Sequence, residues 1–234
     1  MVALDGPSGT GKTTVARRLA ERLGAGYLDS GAMYRVVTLA VLRAGADPDD
    51  AARVTEIAGE TVFTIGTSPD SPLVTLGTED VTAAIRGNDI NQTVSAVSAI
   101  PDVRRLLIDR QRTIITEVLA ETGGVVVEGR DIGTVVAPDA PLKIYLTASA
   151  EIRAARRSAQ DSAAGRESTP ADALASVNRR DHLDSSRATS PLRPAEDAVH
   201  VDTSELSIDQ VIVALAELAG RRGMLGECAA KATR

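Results

Sequence analysis

The sequence has almost no aromatic side chains: its 234 residues include no tryptophan, one phenylalanine and three tyrosines. A core must therefore be assembled from valine, leucine, isoleucine and alanine, which suits parallel strands covered by helices. The single cysteine, Cys228, excludes an internal disulfide, and the two histidines, His182 and His200, lie far apart without metal-ligand spacing. Acidic residues outnumber basic ones 32 to 26, leaving no basic surplus for a nucleic-acid polymer. No apolar run approaches membrane-spanning length, and strand-like residues begin at Val2, where a secretory leader would carry basic residues and an apolar stretch. A soluble, cytoplasmic protein acting as a monomer, with neither membrane nor nucleic-acid partner, is expected.

What the chain does have is Gly6-Pro7-Ser8-Gly9-Thr10-Gly11-Lys12-Thr13, a complete G-x-x-x-x-G-K-[ST] phosphate loop. Backbone N–H groups in such a turn cradle phosphates, Lys12 reaches the β and γ phosphates, and the Thr13 hydroxyl is placed to ligate Mg²⁺ at a helix N-terminus. Thr14 adds a second hydroxyl. The context supports the motif. An apolar run at Val2, Ala3 and Leu4 precedes it, and Val15, Ala16, Leu19, Ala20 and Leu23 recur at helical spacing up to a stop at Gly24.

Strand-like runs at 2–5, 27–29, 125–128, 142–146 and 199–202, each flanked by helical patterns, predict an α/β fold with a five-stranded parallel sheet. Ser30 is read as the N-cap of a second helix, and a third is placed at 49–58. Between residues 60 and 98 the alternation breaks, and Val62, Phe63, Ile65, 73–76, Val81 and Ile85 read as short strands of a small β-rich inserted lobe. Pro101 opens a long helix with Val103, Leu106, Leu107, Ile114, Val118 and Leu119 inward, and Pro170 opens another running to about Arg187. Ser207 and Gln210 form an S-x-x-Q capping box for a last helix with Ile208, Val211, Ile212 and Leu215 inward. The expected organisation is a kinase-like core of 1–59 and 99–219 with a lid at about 153–170, the lobe at 60–98, and a flexible tail at 220–234.

Three polar clusters bear on the partner of the triphosphate. Asp29, Ser30 and Arg35 lie at the carboxyl end of the second strand, and Glu128, Gly129, Arg130 and Asp131 follow the third, both at the edge where open α/β sheets bind ligands. Arg180, Asp184 and Arg187, spaced i, i+4, i+7, share a helix face and suit either a solvated ion-pair surface or a ribose phosphate. Arg153, Arg156 and Arg157 lie on the helix at the start of the lid, where arginines can neutralise a phosphoryl group in transfer. There is no Ser/His/Asp set and no carboxylate pair demanding a raised pKa. That suits an acceptor that is itself a phosphate, because its oxygen is already anionic.

The phosphate loop, the DSGAMYR segment, the β-rich insert, EGRDIGT at 128–134, PDAPLKIYLTAS at 138–149 and the RRDHLDSSR helix end together resemble the bacterial cytidylate (CMP/dCMP) kinases, in the family's order from Met1 to about Ala219. The resemblance implies transfer of the γ-phosphoryl group of ATP to CMP or dCMP with Mg²⁺. It implies that Ser30, Arg35, Arg130 and Arg187 surround the acceptor phosphate, that Arg180 and Asp184 meet the ribose, and that Ser95, Arg104 and Asp131 read cytosine. Lys12, Arg130, Asp131, Arg153 and Arg157 are the expected catalytic set, and 6–14 the nucleotide loop. Glu128 stands where many relatives carry Asp, and Thr13, after the lysine, where some carry Gly, which leaves both Thr13 and Thr14 as candidates to face Mg²⁺. The alternatives are a GTPase or NTPase switch, for which Asn178-Arg179-Arg180-Asp181 gives a superficial N-K-x-D match, and a kinase for UMP or AMP.

Overall fold

The computed structural model describes residues 1–163, 165 and 169–224. Cys228, the rest of the tail from 225, and residues 164 and 166–168 of the expected lid lie outside the described residues. The chain begins with β1 (Val2–Asp5), α1 (Lys12–Leu23), β2 (Gly26–Asp29), α2 (Ser30–Arg43) and α3 (Ala51–Glu60). Three short strands follow, β3 (Phe63–Ile65), β4 (Val74–Leu76) and β5 (Glu79–Asp80), then α4 (Asn88–Ala99) and α5 (Pro101–Thr122). Next come β6 (Val125–Gly129), β7 (Leu142–Thr147), α6 (Ala150–Ala163), α7 (Pro170–Ser185), β8 (Val199–Asp202) and α8 (Ile208–Arg221).

Strands that are apolar at consecutive positions must be covered on both faces, and this requirement builds the centre of the molecule. β2, β6, β1, β7 and β8 pair in that order, every pair parallel. Val15, Leu19 and Leu215 of α1 and α8 pack with Val2, Leu4 and Val126 on one face. On the other, Met33, Val37, Val103 and Leu107 of α2 and α5 pack with Ala3, Leu28 and Val127. Phe63, Val74, Val94 and Val97 belong to this second cluster, so residues 60–98 share the main core. Register sets Asp29 opposite Glu128, and Asp5 opposite both Gly129 and Tyr145, so the carboxyl ends of four strands open on one edge.

Several local expectations are corrected. Asp29, not Ser30, caps α2: its extended backbone lets Oδ1 accept the Ala32 N–H at 3.0 Å, and Ser30 is the first helical residue. Asp50 caps the third helix, which runs later than expected, to Glu60. Residues 60–98 are less β-rich than expected. β3–β5 form an antiparallel sheet, but Val81 lies just past β5, Ile85 in a 3₁₀ turn, and α4 follows because Ile90, Val94 and Val97 share one face. Leu106 and Ile208 are exposed, on the outer sides of α5 and α8. α6 stays helical through Ala163, so the first part of the expected lid is regular helix. α7 ends at Ser185, which places Arg187 in the following turn.

At α8 the capping box forms as expected, with Ser207 Oγ accepting the Gln210 N–H at 3.2 Å and Gln210 Oε1 accepting the Ser207 N–H at 2.8 Å. Ser207→Ala is expected to lower unfolding free energy by about 1 kcal/mol. Urea denaturation checks this: the midpoint should fall while the slope stays constant.

Candidate active site

The loop between β1 and α1 is shaped by close backbone approach. A Cβ on Gly6 would lie 2.2 Å from the Leu146 carbonyl oxygen of β7, so no side chain fits there. Gly11, at φ +87°, turns the chain into α1 through the left-handed region. Ser8, Gly9, Gly11, Lys12, Thr13 and Thr14 line a cleft of about 650 Å³, whereas Gly6, Pro7 and Thr10 are not part of its wall. Lys12 Nζ donates to Pro7 O at 2.6 Å and comes within 3.5 Å of Thr10 Oγ1. Burial, with the charge of Arg130 added, pushes the Lys12 ammonium well below the ordinary lysine value. Such a cation is strengthened by an incoming anion.

Glu128 sits at the cleft floor, and the register with β2 explains its company. Tyr27 donates its phenol O–H to Oε1, and Thr13 Oγ1 donates to Oε2 at 3.1 Å. Burial, with the Asp29 charge adding to it, raises the carboxyl above the ordinary range. The same burial raises the Tyr27 phenol. Asp5, at the end of β1, is likewise raised by burial, to about 6, against the pull of the Gly133 and Ile132 amides. Thus buried carboxylates with raised pKa values do occur beside the loop, contrary to the expectation from sequence. Thr13 is the loop threonine that meets a carboxylate, while Thr14 is exposed.

The Asp5 shift carries a sign. Its folded pKa exceeds the unfolded value of about 3.9, so this contribution to stability is complete below that value and is lost as pH rises through about 6. The stability difference between Asp5→Asn and the parent should therefore shift in the variant's favour as pH rises from about 4 to about 7, whatever its sign at the start. Urea midpoints of both proteins across that range check it, and a constant difference would contradict the burial of a titrating Asp5.

Around the opposite wall the structure gathers the expected arginines. Arg130 Nε donates to Asp184 Oδ2 at 3.0 Å, and Arg187 Nη1 lies 3.9 Å from Oδ1 even though it has left the helix. Burial alone would raise Asp184, but Arg130, Arg180 and Arg187 hold it below the usual carboxylate range. Burial lowers Arg180 to about 10 and Arg35 to about 9, both still cationic at neutral pH. Arg35 Nη1 donates to Ile85 O at 2.9 Å and to Asn91 Oδ1 at 2.8 Å. Arg180 Nε and Arg187 Nη2 are buried without a hydrogen-bond acceptor. Lys12, Arg35, Arg86, Arg104, Arg130, Arg157, Arg180 and Arg187 line the cleft against Asp29, Glu128, Asp131 and Asp184. In an acidic protein this local excess of cations, with orphaned donors, fits phosphate groups.

Where α5 meets the Arg130–Asp131 segment, Arg104 and Asp131 form a salt bridge whose side chains are only 2% and 7% exposed. Arg104 Nη1 also donates to Ser98 O at 3.1 Å, and its guanidinium stands over the Tyr34 ring at 5.3 Å. Ser30 lines the cleft and donates its hydroxyl to Glu128 O at 2.7 Å.

Beyond the phosphate loop, two expected site residues are not brought to the wall. Ser95 lies outside it and Ser98, one turn later on α4, lines it instead, donating to Ser95 O at 3.2 Å. Arg153 points away from the cleft, because its phase on α6 turns it onto the loop backbone: it donates to Ser8 O at 3.2 Å and Ala148 O at 3.0 Å, and pairs with Asp181. Arg157, one turn on, does line the cleft. Arg156 anchors Thr203 O at 2.7 Å. Asn178-Arg179-Arg180-Asp181 lies within α7 rather than after a strand, unlike a guanine-reading loop. Tyr34, Arg86, Asn91, Ser98 and Gln160 line the cleft and were not singled out from sequence. Tyr34 and Arg86 flank chosen residues, so adjacency to Arg35 and to the end of the insert was the signal available.

A family model described as cytidylate kinase matches residues 2–221. Similar curated proteins include the cytidylate kinase of Rhodococcus opacus, 56% identical over 227 residues covering 97% of each chain. The cytidylate kinase of Nocardia farcinica is 56% identical over 222 residues, covering 95% of this chain and 94% of the relative. That of Mycobacterium avium is 54% identical over 222 residues, covering 95% and 96%. Among the described residues no helix is long and apolar enough to cross a membrane.

Proposed function

Since the chain belongs to the cytidylate kinase family and transfers the γ-phosphoryl group of ATP to CMP or dCMP, we propose that its cleft holds the two nucleotides end to end. The triphosphate lies on the loop before α1, and the acceptor lies between α2, α4 and the Arg130–Asp131 segment. Residues 60–98 then serve as an acceptor-binding lobe, and α6 with α7 as the covering lid.

Loop N–H groups and Lys12 bind the β and γ phosphates, and Lys12 exchanges its bond to Pro7 O for a phosphate oxygen. The oxygen donors beside the loop, the Thr13 hydroxyl and the Glu128 carboxylate, fit Mg²⁺, which takes few protein ligands and shares the rest with phosphates and water. Among the described residues there is no larger cluster of His, Cys, Asp or Glu, in keeping with that sparse mode. Held by those two side chains, Mg²⁺ would supply positive charge to offset that of the phosphates. Ser30, Arg35, Arg130 and Arg187 hold the acceptor phosphate, and Arg180 with Asp184 the ribose. Arg130 and Arg157 neutralise charge on the transferring group, and Arg153 fixes the loop backbone from behind. No general base is needed, because the acceptor oxygen is already anionic.

Base choice falls to Arg104 and Asp131. Asp131 Oδ2 is engaged by Arg104, so Oδ1 accepts from the cytosine amino group, and the guanidinium donates to the ring acceptors. Uracil would set a carbonyl against that carboxylate. The buried Arg104–Asp131 pair on the cleft wall is the observation that carries this reading. It is tested by ADP formation from ATP and Mg²⁺ against CMP, dCMP, UMP, AMP and GMP, with a GTP control and a blank without acceptor. Strong turnover is expected with the cytidine monophosphates, and acceptor-independent hydrolysis would contradict it.

A further inference from the structure

Asp5 is the last residue of β1 and immediately precedes the phosphate loop, yet it is not part of the cleft wall. It is 4% exposed, and both its carboxylate oxygens are engaged on the acceptor side of the sheet. Oδ1 accepts the Ile132 N–H at 2.9 Å and Oδ2 accepts the Gly133 N–H at 2.8 Å. Those amides open the π-type turn Ile132–Val136, and as the first N–H groups of that turn they have no partner within it. The same turn holds the Asp131 backbone, whose carbonyl accepts the Val135 N–H at 2.9 Å and the Val136 N–H at 3.2 Å. One buried carboxylate thus joins the root of the phosphate loop to the segment that carries Arg130 and Asp131. Burial and the nearby Asp131 charge both oppose ionisation of Asp5, so a residue that merely filled space would be better apolar.

We propose that Asp5 is a positioning residue for the acceptor: its bidentate hold on the Ile132 and Gly133 amides sets Asp131 at the distance that discriminates cytosine. It touches neither nucleotide. The inference rests on Asp131 as the base reader. Removing one acceptor oxygen leaves a buried amide unpaired, and the turn relaxes to satisfy it, moving Asp131 from its place beside Arg104.

The test compares the parent with Asp5→Asn, Gly133→Ala and Asp131→Ala, measuring kcat and KM separately for CMP and ATP, and kcat/KM for CMP and UMP. Asp5→Asn should raise the CMP KM about tenfold and lower the CMP to UMP ratio, since one unpaired buried group corresponds to about that factor, with the ATP KM changed less than about twofold. A Cβ on Gly133 would lie 3.5 Å from Asp5 Oδ2 and 3.2 Å from the Lys143 side chain, so Gly133→Ala presses on the clamp while keeping its charge. It should shift the same constants in the same direction by less, and it carries the test if Asp5→Asn does not fold. CMP and ATP constants moving in step, or neither moving while Asp131→Ala loses CMP turnover, would overturn the proposal. CMP preference surviving in Asp131→Ala would overturn the base-reading assignment instead, and the proposal with it.

Discussion

Lys12→Ala should fold normally and lose turnover by about 10²–10³-fold or more in kcat, the cost of removing one charged donor aimed at developing phosphate charge. The side chain is buried and held to Pro7 O at 2.6 Å, so nothing in the resting protein satisfies its charge fully. Its ammonium is lowered by burial and by Arg130, which means the folded state gains little from the charge. Stability should therefore change little or rise slightly, while the catalytic loss is large. Circular dichroism and urea unfolding alongside kcat separate the two effects. Near-parental kcat would remove Lys12 from the reacting phosphates.

The second large effect is expected at Asp131. In Asp131→Ala, Arg104 keeps its bond to Ser98 O but loses its counter-charge in a site where its side chain is 2% exposed. Breaking a buried pair from one side costs about 3–5 kcal/mol, shared here between stability and acceptor binding. CMP kcat/KM should fall by about 10²-fold or more, whereas ATP affinity, set on the loop some elements away, should stay within about threefold. Asp131→Asn preserves volume and presents an amide donor toward the base, so the CMP to UMP ratio should fall further than stability does. Steady-state kinetics with both acceptors, and ATP binding by calorimetry, check these outcomes. Equal loss of ATP and CMP binding would take Asp131 out of the acceptor site.

The parts of the fold legible in the sequence are those where one physical requirement dominates. The edges of β1 and β8 are matched residue for residue, and α1 stops at Gly24 as its spacing indicates. α4, which falls inside the expected β-rich lobe but beyond its short strands, is not legible as a helix because its polar Asn, Gln, Thr and Ser positions hide the wide spacing of Ile90, Val94 and Val97, whose helical period is evident only once they are seen packed. Helix phase was equally hidden. Arg153 and Arg157 are one turn apart on α6, yet only the second faces the cleft, and only packing decides which. The environment of Glu128 depends on the β2–β6 register, which sets Tyr27 and Asp29 around it and which local pattern does not specify. Arg187 reaches Asp184 although α7 ends before it, because the turn folds back over the same face. Residues placed by a motif or by the end of a strand were thus readable. Those whose role depends on which way an element is rotated were not.

The central claim is that Asp131, braced by Arg104, reads the acceptor base beside a phosphate held by arginines. A crystal structure of the protein with CMP bound tests it most directly. The account predicts the cytosine amino nitrogen within about 3 Å of an Asp131 carboxylate oxygen, with the 5′-phosphate among Arg35, Arg130 and Arg187. A cytosine ring bound away from Arg104 and Asp131, with the phosphate still among the arginines, would contradict it.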